Sequence, residues 1–202
     1  MFGGSTDYAS FYEEHGSLLI GTTIDKYTYT SFRARPSIIA ENSVIAYSKL
    51  ETPSSIDEIQ NPLIRETLRY CDCYGSVDLH FFADIPSRTG LGGSSSFCVA
   101  LLKALRPHMT KMELSKAAIE IERNILAESG GVQDQIWAAY GGFNSIAIQT
   151  DGTFIVRPMA ISAEFLAELR SSMILIYTGA QRATDSIAKA HDGTTDKGNI
   201  LA

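Results

Sequence analysis

Residues 86-PSRTGLGGSSSF-97 hold three glycines and four serines, and an apolar run, 97-FCVALLKAL-105, follows at once. Just before them, 76-SVDLHFFADI-85 alternates, with Val77, Leu79, Phe81, Ala83 and Ile85 on one face. Such alternation predicts a half-buried strand. The apolar run predicts a helix that ends at Pro107. The order strand, glycine-rich turn, helix has a physical use. The first turn of a helix carries unpaired N–H groups and the positive end of the macrodipole. Glycines let the preceding backbone approach an anion closely and add N–H groups of their own, so the stretch reads as a phosphate cradle. The other reading is a flexible linker ahead of a capped helix, and the ordered flanks argue against it. There is no Gly-Lys-Ser/Thr ending, which excludes a Walker A loop, and the glycine spacing is not that of a dinucleotide fingerprint.

Outward from this stretch, strand and helix signals mix. Residues 17–34 read as strand material with a turn at Asp25-Lys26, and 43–47 as a short strand. At 55-SIDE-58 a capping-box pattern opens a helical segment to about Tyr70, with a restart at Asn61-Pro62. A second box, Thr110 to Glu113, opens a helix expected to run to about Ala127. Residues 144–149 and 154–158 flank Thr150-Asp151-Gly152-Thr153 as a hairpin. A short helix over 162–170 and an apolar strand over 173–177 follow. Hairpins beside crossovers favour α+β, a mixed sheet covered by helices, over a doubly wound parallel sheet.

Composition narrows the function. Of 202 residues, 45% are apolar and 20% charged, with a net charge of −6 and no basic stripe. Nucleic-acid binding has no electrostatic support here. A nest of N–H groups still allows an anionic small ligand in an acidic protein. No apolar run approaches the roughly 18 residues of a membrane span. The start, MFGGSTDYAS, lacks the basic region and apolar stretch of a signal peptide. Cys71, Cys73 and Cys98 are odd in number and read as free thiols of a cytoplasmic protein. His15, His80, His108 and His191 form no ligand pattern, and Trp137 reads as core.

A cradle becomes an enzyme only with carboxylates. The helix after Thr110 carries Glu113, Glu120 and Glu122, of which most belong to a solvated face. The loop 128-ESGGVQD-134 then places Asp134 after two glycines and just ahead of an apolar helix. Asp134 reads either as a helix N-cap or as a carboxylate aimed into a cleft as a general base toward a hydroxyl. Composition alone leaves both open.

The segment 86-PSRTGLGGSSSF-97 resembles the second motif of the GHMP small-molecule kinases, Pro-x-x-x-Gly-Leu-Gly-Ser-Ser-Ala, through Pro86, Gly90, Leu91, Gly92 and Ser94. Gly93 stands where that pattern has its first serine. The segment 119-IEIERNILAESGGVQDQ-135 resembles the stretch bearing the superfamily's metal-binding Glu and catalytic Asp, and 3-GGSTDY-8 the end of its first motif. With TTIDKYTYT close behind, the chain most resembles the bacterial heptose 7-phosphate kinases of that superfamily.

The resemblance implies an ATP-dependent, Mg2+-dependent transfer of the γ-phosphoryl group to a sugar hydroxyl. The expected acceptor is the anomeric hydroxyl of D-glycero-D-manno-heptose 7-phosphate. It implies that Pro86 and Gly90 to Ser96 (Gly90, Leu91, Gly92, Gly93, Ser94, Ser95, Ser96) bind the nucleotide. Ser94 and Glu122 hold the metal, Asp134 is the catalytic base, and Gly4, Thr6, Asp7 and Tyr8 face the sugar. Among the serines, Ser94 is expected to matter most, with Ser95 and Ser96 capping and lining the loop. The expected arrangement is a GHMP N-terminal, ATP-binding domain over 1–160 and the beginning of a C-terminal domain over 161–202. The strand and Arg that precede GGSTDY in the family, and its third glycine-rich motif, are not matched; 178-TGAQRATD-185 comes too early and holds too few glycines. The chain therefore reads as truncated at both ends. The alternatives are a catalytically impaired fragment that keeps the fold and nucleotide binding, or a galactokinase-like or fucokinase-like sugar kinase. Expected partners are a sugar or sugar phosphate, with no nucleic acid and no membrane, a cytoplasmic location, and a homodimer as the open oligomeric question.

Overall fold

The computed structural model describes residues 5–36, 42–86 and 89–174. Six helices and seven strands follow one another as α1 (Ala9–His15), β1 (Ser17–Thr22), β2 (Thr28–Ala34), β3 (Val44–Ala46), β4 (Leu50–Glu51), α2 (Pro62–Tyr70), β5 (Val77–Ala83), α3 (Gly93–Leu105), α4 (Lys111–Ile119), α5 (Gln133–Tyr140), β6 (Phe143–Ile148), β7 (Phe154–Pro158) and α6 (Ala163–Ser172) among the described residues. A short 3-10 turn, Ile56–Glu58, precedes α2, and a π-helical turn, Glu120–Ile125, continues α4. The class is α+β.

The strands divide between two sheets. One is antiparallel, in the order β1-β6-β7. The other runs β2-β5-β3-β4, with β2 antiparallel and β3 parallel to β5. The turn at Asp25-Lys26 thus separates two sheets and does not close a hairpin. The pattern of β5 explains its two faces. Val77 and Leu79 are buried, Phe81 packs against the same core, and Asp78, His80 and Phe82 point the other way.

Two apolar cores result. The larger joins Ile45 and Leu79 of the four-stranded sheet to Ile64 and Leu68 of α2, Leu101 and Leu102 of α3, and Ala118 and Ile121. The smaller joins Leu19, Ile146 and Ile148 to Val132, Ile136 and Phe154. Each fully buried Leu or Ile contributes about 1.5–3 kcal/mol. Helix α5 lies at the seam: Ile136 enters the smaller core while Ala138 and Ala139 pack on the larger. The start of α5 therefore has a rigid wall on two sides.

Local chemistry sets the helix ends. The Thr110 hydroxyl accepts from the Glu113 amide at 3.3 Å, and the Glu113 carboxylate accepts from the Thr110 amide at 2.7 Å. That is the expected capping box. The expected box at Ser55 does not form. Glu58 instead accepts from the Ser54 amide and hydroxyl, at 2.8 and 3.0 Å, and only a 3-10 turn follows before Asn61 caps α2. Pro62 at the first helical position explains the restart, since its missing N–H costs nothing there. The hairpin β6–β7 forms as expected, with the Asp151 carboxylate accepting from the Thr153 amide at 2.9 Å. The expected strand over 173–177 lies largely outside the described residues, as does the stretch 178–185; Met173 and Ile174 are not in a strand.

Candidate active site

The glycine-serine stretch enters α3 through Gly92, whose φ of +68° lies in the left-handed region. A side chain there would be strained, and its Cβ would also come within 3.2 Å of the Asp134 Cγ. Glycine thus brings the loop backbone directly against that carboxyl. The helix begins at Gly93, earlier than the apolar run alone suggests, so Ser94, Ser95 and Ser96 occupy its first turn. Its N-cap, Gly92, has no side chain to cap it. The first-turn amides of a helix can serve an anion. Pro86 and Leu91 sit on the exposed surface of the loop. Arg88 lies outside the described residues.

The helix expected to reach Ala127 changes winding instead. After Ile119 a π-helical turn begins, and the Leu126 amide donates to the Ile121 carbonyl at 2.9 Å. Such turns are common at functional sites because one extra residue per turn redirects side chains. Here the turn contains Glu122, which is fully buried. Its carboxylate is closely held. The Ser94 hydroxyl donates to Oε1 at 2.9 Å, and the Ser95 hydroxyl donates to Oε2 at 2.7 Å. The Gln135 amide nitrogen donates to Oε2 as well. Arg123 lies 3.9 Å from Oε2 and donates to the Glu128 carbonyl at 3.0 Å. The two serines differ in setting: Ser95 is buried and Ser94 is exposed.

Asp134 is not the N-cap of α5. Val132 holds that position without a side-chain hydrogen bond, and Asp134 lies within the first turn. One side of Asp134 is open to solvent, and protein crowds the others. No hydrogen-bond donor reaches its carboxylate among the described residues. Its pKa is pushed up to about 6, chiefly by desolvation, then by the negative charges of Asp7 and Glu122, with Arg123 opposing. A carboxyl poised near neutrality with one side open to solvent suits proton transfer.

The N-terminal motif meets this group from the other side. Asp7 is buried, and its Oδ2 accepts from the Gln133 backbone amide at 3.0 Å. The Gln133 side-chain amide approaches Oδ1 at 3.4 Å. Burial raises the Asp7 pKa, against lowering by the Gln133 amide and Arg123. Thr6 and Ser17 share a hydroxyl hydrogen bond of 2.8 Å, and Tyr8 stands at the start of α1. Gly4 lies outside the described residues.

The three stretches singled out in the sequence therefore converge. Gly92 touches Asp134, Ser94 and Ser95 hold Glu122, and Asp7 holds the residue before Asp134. Sequence reasoning missed Gln135, Gln133, Gly131 and the part played by Ser95. The signal for the two glutamines and Gly131 was proximity to Asp134 in 130-GGVQDQ-135. No group of three or more His, Cys, Asp or Glu side chains among the described residues is arranged to hold a metal. The exposed Ser94 Oγ and the Glu122 Oε1 beside it are nonetheless two hard oxygen donors at one point. That pair fits a Mg2+ ion, which commonly takes one or two protein oxygens and completes its shell with water and phosphate.

Residues 61–142 match the family model for the GHMP kinases N terminal domain. The chain is similar to that domain over this stretch. It is 30% identical, over 96% of its length, to the D-glycero-alpha-D-manno-heptose 7-phosphate kinase of Campylobacter jejuni, of which it covers 61%. Solved structures share the fold. A D-glycero-D-manno-heptose 1-phosphate kinase from Bacteriodes thetaiotaomicron superimposes with a TM-score of 0.76 at 31% identity, covering 84% of this chain and 60% of that one. The mevalonate kinase of Methanococcus jannaschii shares the fold at 16% identity, with a TM-score of 0.59 over 96% of this chain and 65% of its own. The chain thus spans about three fifths of the length of the heptose phosphate kinases it matches. No helix among the described residues is long and apolar enough to cross a membrane.

Proposed function

We propose that this GHMP domain supplies the nucleotide-binding and proton-accepting parts of an ATP-dependent sugar-phosphate kinase. The acceptor is the anomeric hydroxyl of a D-glycero-D-manno-heptose 7-phosphate. The observation that carries the reading is the contact of the Gly92 backbone with the Asp134 carboxyl, beside the Ser94–Glu122 pair. It sets an anion cradle, a cation-binding pair and a base around one point.

Each residue then has a task. The amides of Gly93, Ser94 and Ser95 face the phosphates at the start of α3. Ser94 Oγ and Glu122 Oε1 would hold Mg2+, which neutralises phosphate charge when bound. Ser95 and Gln135 hold the other oxygen of Glu122, so that Oε1 stays turned toward Ser94. Asp134 accepts the proton of the attacking hydroxyl. Phosphoryl transfer asks mainly for positioning and charge neutralisation, and these groups supply both. The heptose phosphate kinases at 30% and 31% identity support the sugar class. The proposal extends to an N-terminal domain over 1–160, the start of a second domain over 161–202, and a cytoplasmic site of action.

The test is MgATP titration of the full chain, followed by phosphoryl transfer to heptose 7-phosphate. Binding with turnover is the expected result. Absence of nucleotide binding overturns the cradle. Binding without turnover on any sugar phosphate leaves a nucleotide-binding domain that needs residues beyond this chain.

A further inference from the structure

The position read from the sequence as a sugar contact does something else here. Asp7 is 1% exposed, so little of its carboxylate meets solvent. Helix α5 opens without a side-chain cap from its own N-cap residue, Val132. The amide of its first residue, Gln133, has no partner within the helix, as geometry requires of every first turn. That amide donates to Asp7 Oδ2 at 3.0 Å, across 126 residues of chain. The Val132 amide donates to the Asp7 carbonyl at 3.2 Å, so the grip is double. The site has also been shaped to take the carboxylate. A Cβ on Gly131 would fall 1.8 Å from Asp7 Oδ2, so only glycine fits there.

We infer that Asp7 is a positioning residue: its buried carboxylate caps helix α5 in place of Val132 and thereby fixes where Asp134 stands. The cap itself follows from geometry alone, whereas its consequence for turnover rests on the kinase reading above. An aspartate serves well at a helix start, because its oxygen satisfies an orphan amide and its charge opposes the macrodipole. Asp7, Glu122 and Arg123 are the charged groups that act on Asp134, so removing the Asp7 charge also lowers the pH at which Asp134 releases its proton.

Amide hydrogen exchange, residue by residue, tests the cap on the full chain. The Gln133 amide reports the side-chain bond, and the Val132 amide reports docking of the Asp7 backbone. In Asp7→Ala the Gln133 amide is expected to exchange at least about tenfold faster. In Asp7→Asn, which keeps an acceptor oxygen, protection returns. Should Asp7→Ala loosen the whole segment, both amides lose protection and Asp7→Asn still restores both. Wild-type protection of Gln133 in Asp7→Ala overturns the cap, and so does equal loss in the Asn and Ala variants.

Turnover supplies the second arm. A positioning role lowers kcat in Asp7→Ala at saturating sugar phosphate. Asp7→Asn recovers kcat, with the acidic limb of its pH profile moved down. A rise in sugar KM alone, the same in both variants, assigns Asp7 to the sugar and overturns the positioning role. If the wild-type chain binds MgATP but turns over no sugar phosphate, turnover needs residues beyond this chain, while the exchange arm still decides the cap.

Discussion

Two carboxylates twelve residues apart in the chain receive opposite treatment. Glu122 is wholly buried and takes hydrogen bonds from Ser94, Ser95 and Gln135. Asp134 has an open side, no donor among the described residues, and a pKa pushed up to about 6. One is built to stay put and present a fixed oxygen. The other keeps a side open to solvent, an arrangement that suits the proposed proton transfer. The fold achieves this by burying the first in a π-helical turn and setting the second on the first turn of α5 against a glycine.

The contrast can be broken most strongly at Asp134. Asp134→Asn removes the proton acceptor and is expected to cost about 10²–10⁴-fold in turnover, with MgATP affinity retained, as isothermal titration would measure. Next comes the anchoring of Glu122. Ser95→Ala and Gln135→Leu each leave a buried carboxylate short of a donor and should destabilise the chain by about 1–3 kcal/mol in urea unfolding. Each should also raise the Mg2+ concentration needed for nucleotide binding. The pH response of Asp134 is a subtler check. Its folded pKa of about 6 exceeds the ordinary 3.8, so the fold loses stability as pH rises through that interval and gains none back above it. Asp134→Asn escapes that loss. Its Tm should match wild type near pH 3.5 and exceed it at pH 7, and a gap that is larger in acid would contradict the assignment. Ser94→Ala has the smallest expected effect on stability, below about 1 kcal/mol, because Ser94 is exposed and water replaces it. A cost equal to that of Ser95→Ala would erase the distinction between the two serines.

Parts of this arrangement are legible in the sequence because their causes are local. Thr110 and Glu113 form a capping box within one turn. Asp151 organises its own hairpin two residues away. The alternation of β5 and the apolar run of α3 place the glycine-rich stretch between a strand and a helix. What escapes is decided by distant groups. Whether Ser54 or Ser55 binds Glu58 depends on how the chain leaves β4. The π-helical turn arises where Ile121 must stay in the core while Glu122 meets two serines of α3, and no single helix pattern encodes that demand. The separation of β1 and β2 into different sheets is invisible until β6 is known to claim β1. The glycine at 131 looks like any loop glycine until Asp7 is seen to fill the space where its side chain would be.

The span between Asp7 and Gln133 has a consequence for the birth of the molecule. At about 5–20 residues per second on the ribosome, the aspartate waits roughly 6–25 seconds while the chain grows by the 126 residues that end at Gln133. Through that interval its carboxylate has no helix to meet, and β1 likewise waits for β6. The corner between Asp7 and helix α5 can close only late in synthesis. A nascent chain stopped before Gln133 already holds Ser94, Ser95 and Ser96 and still lacks the amide that the Asp7 carboxylate clasps.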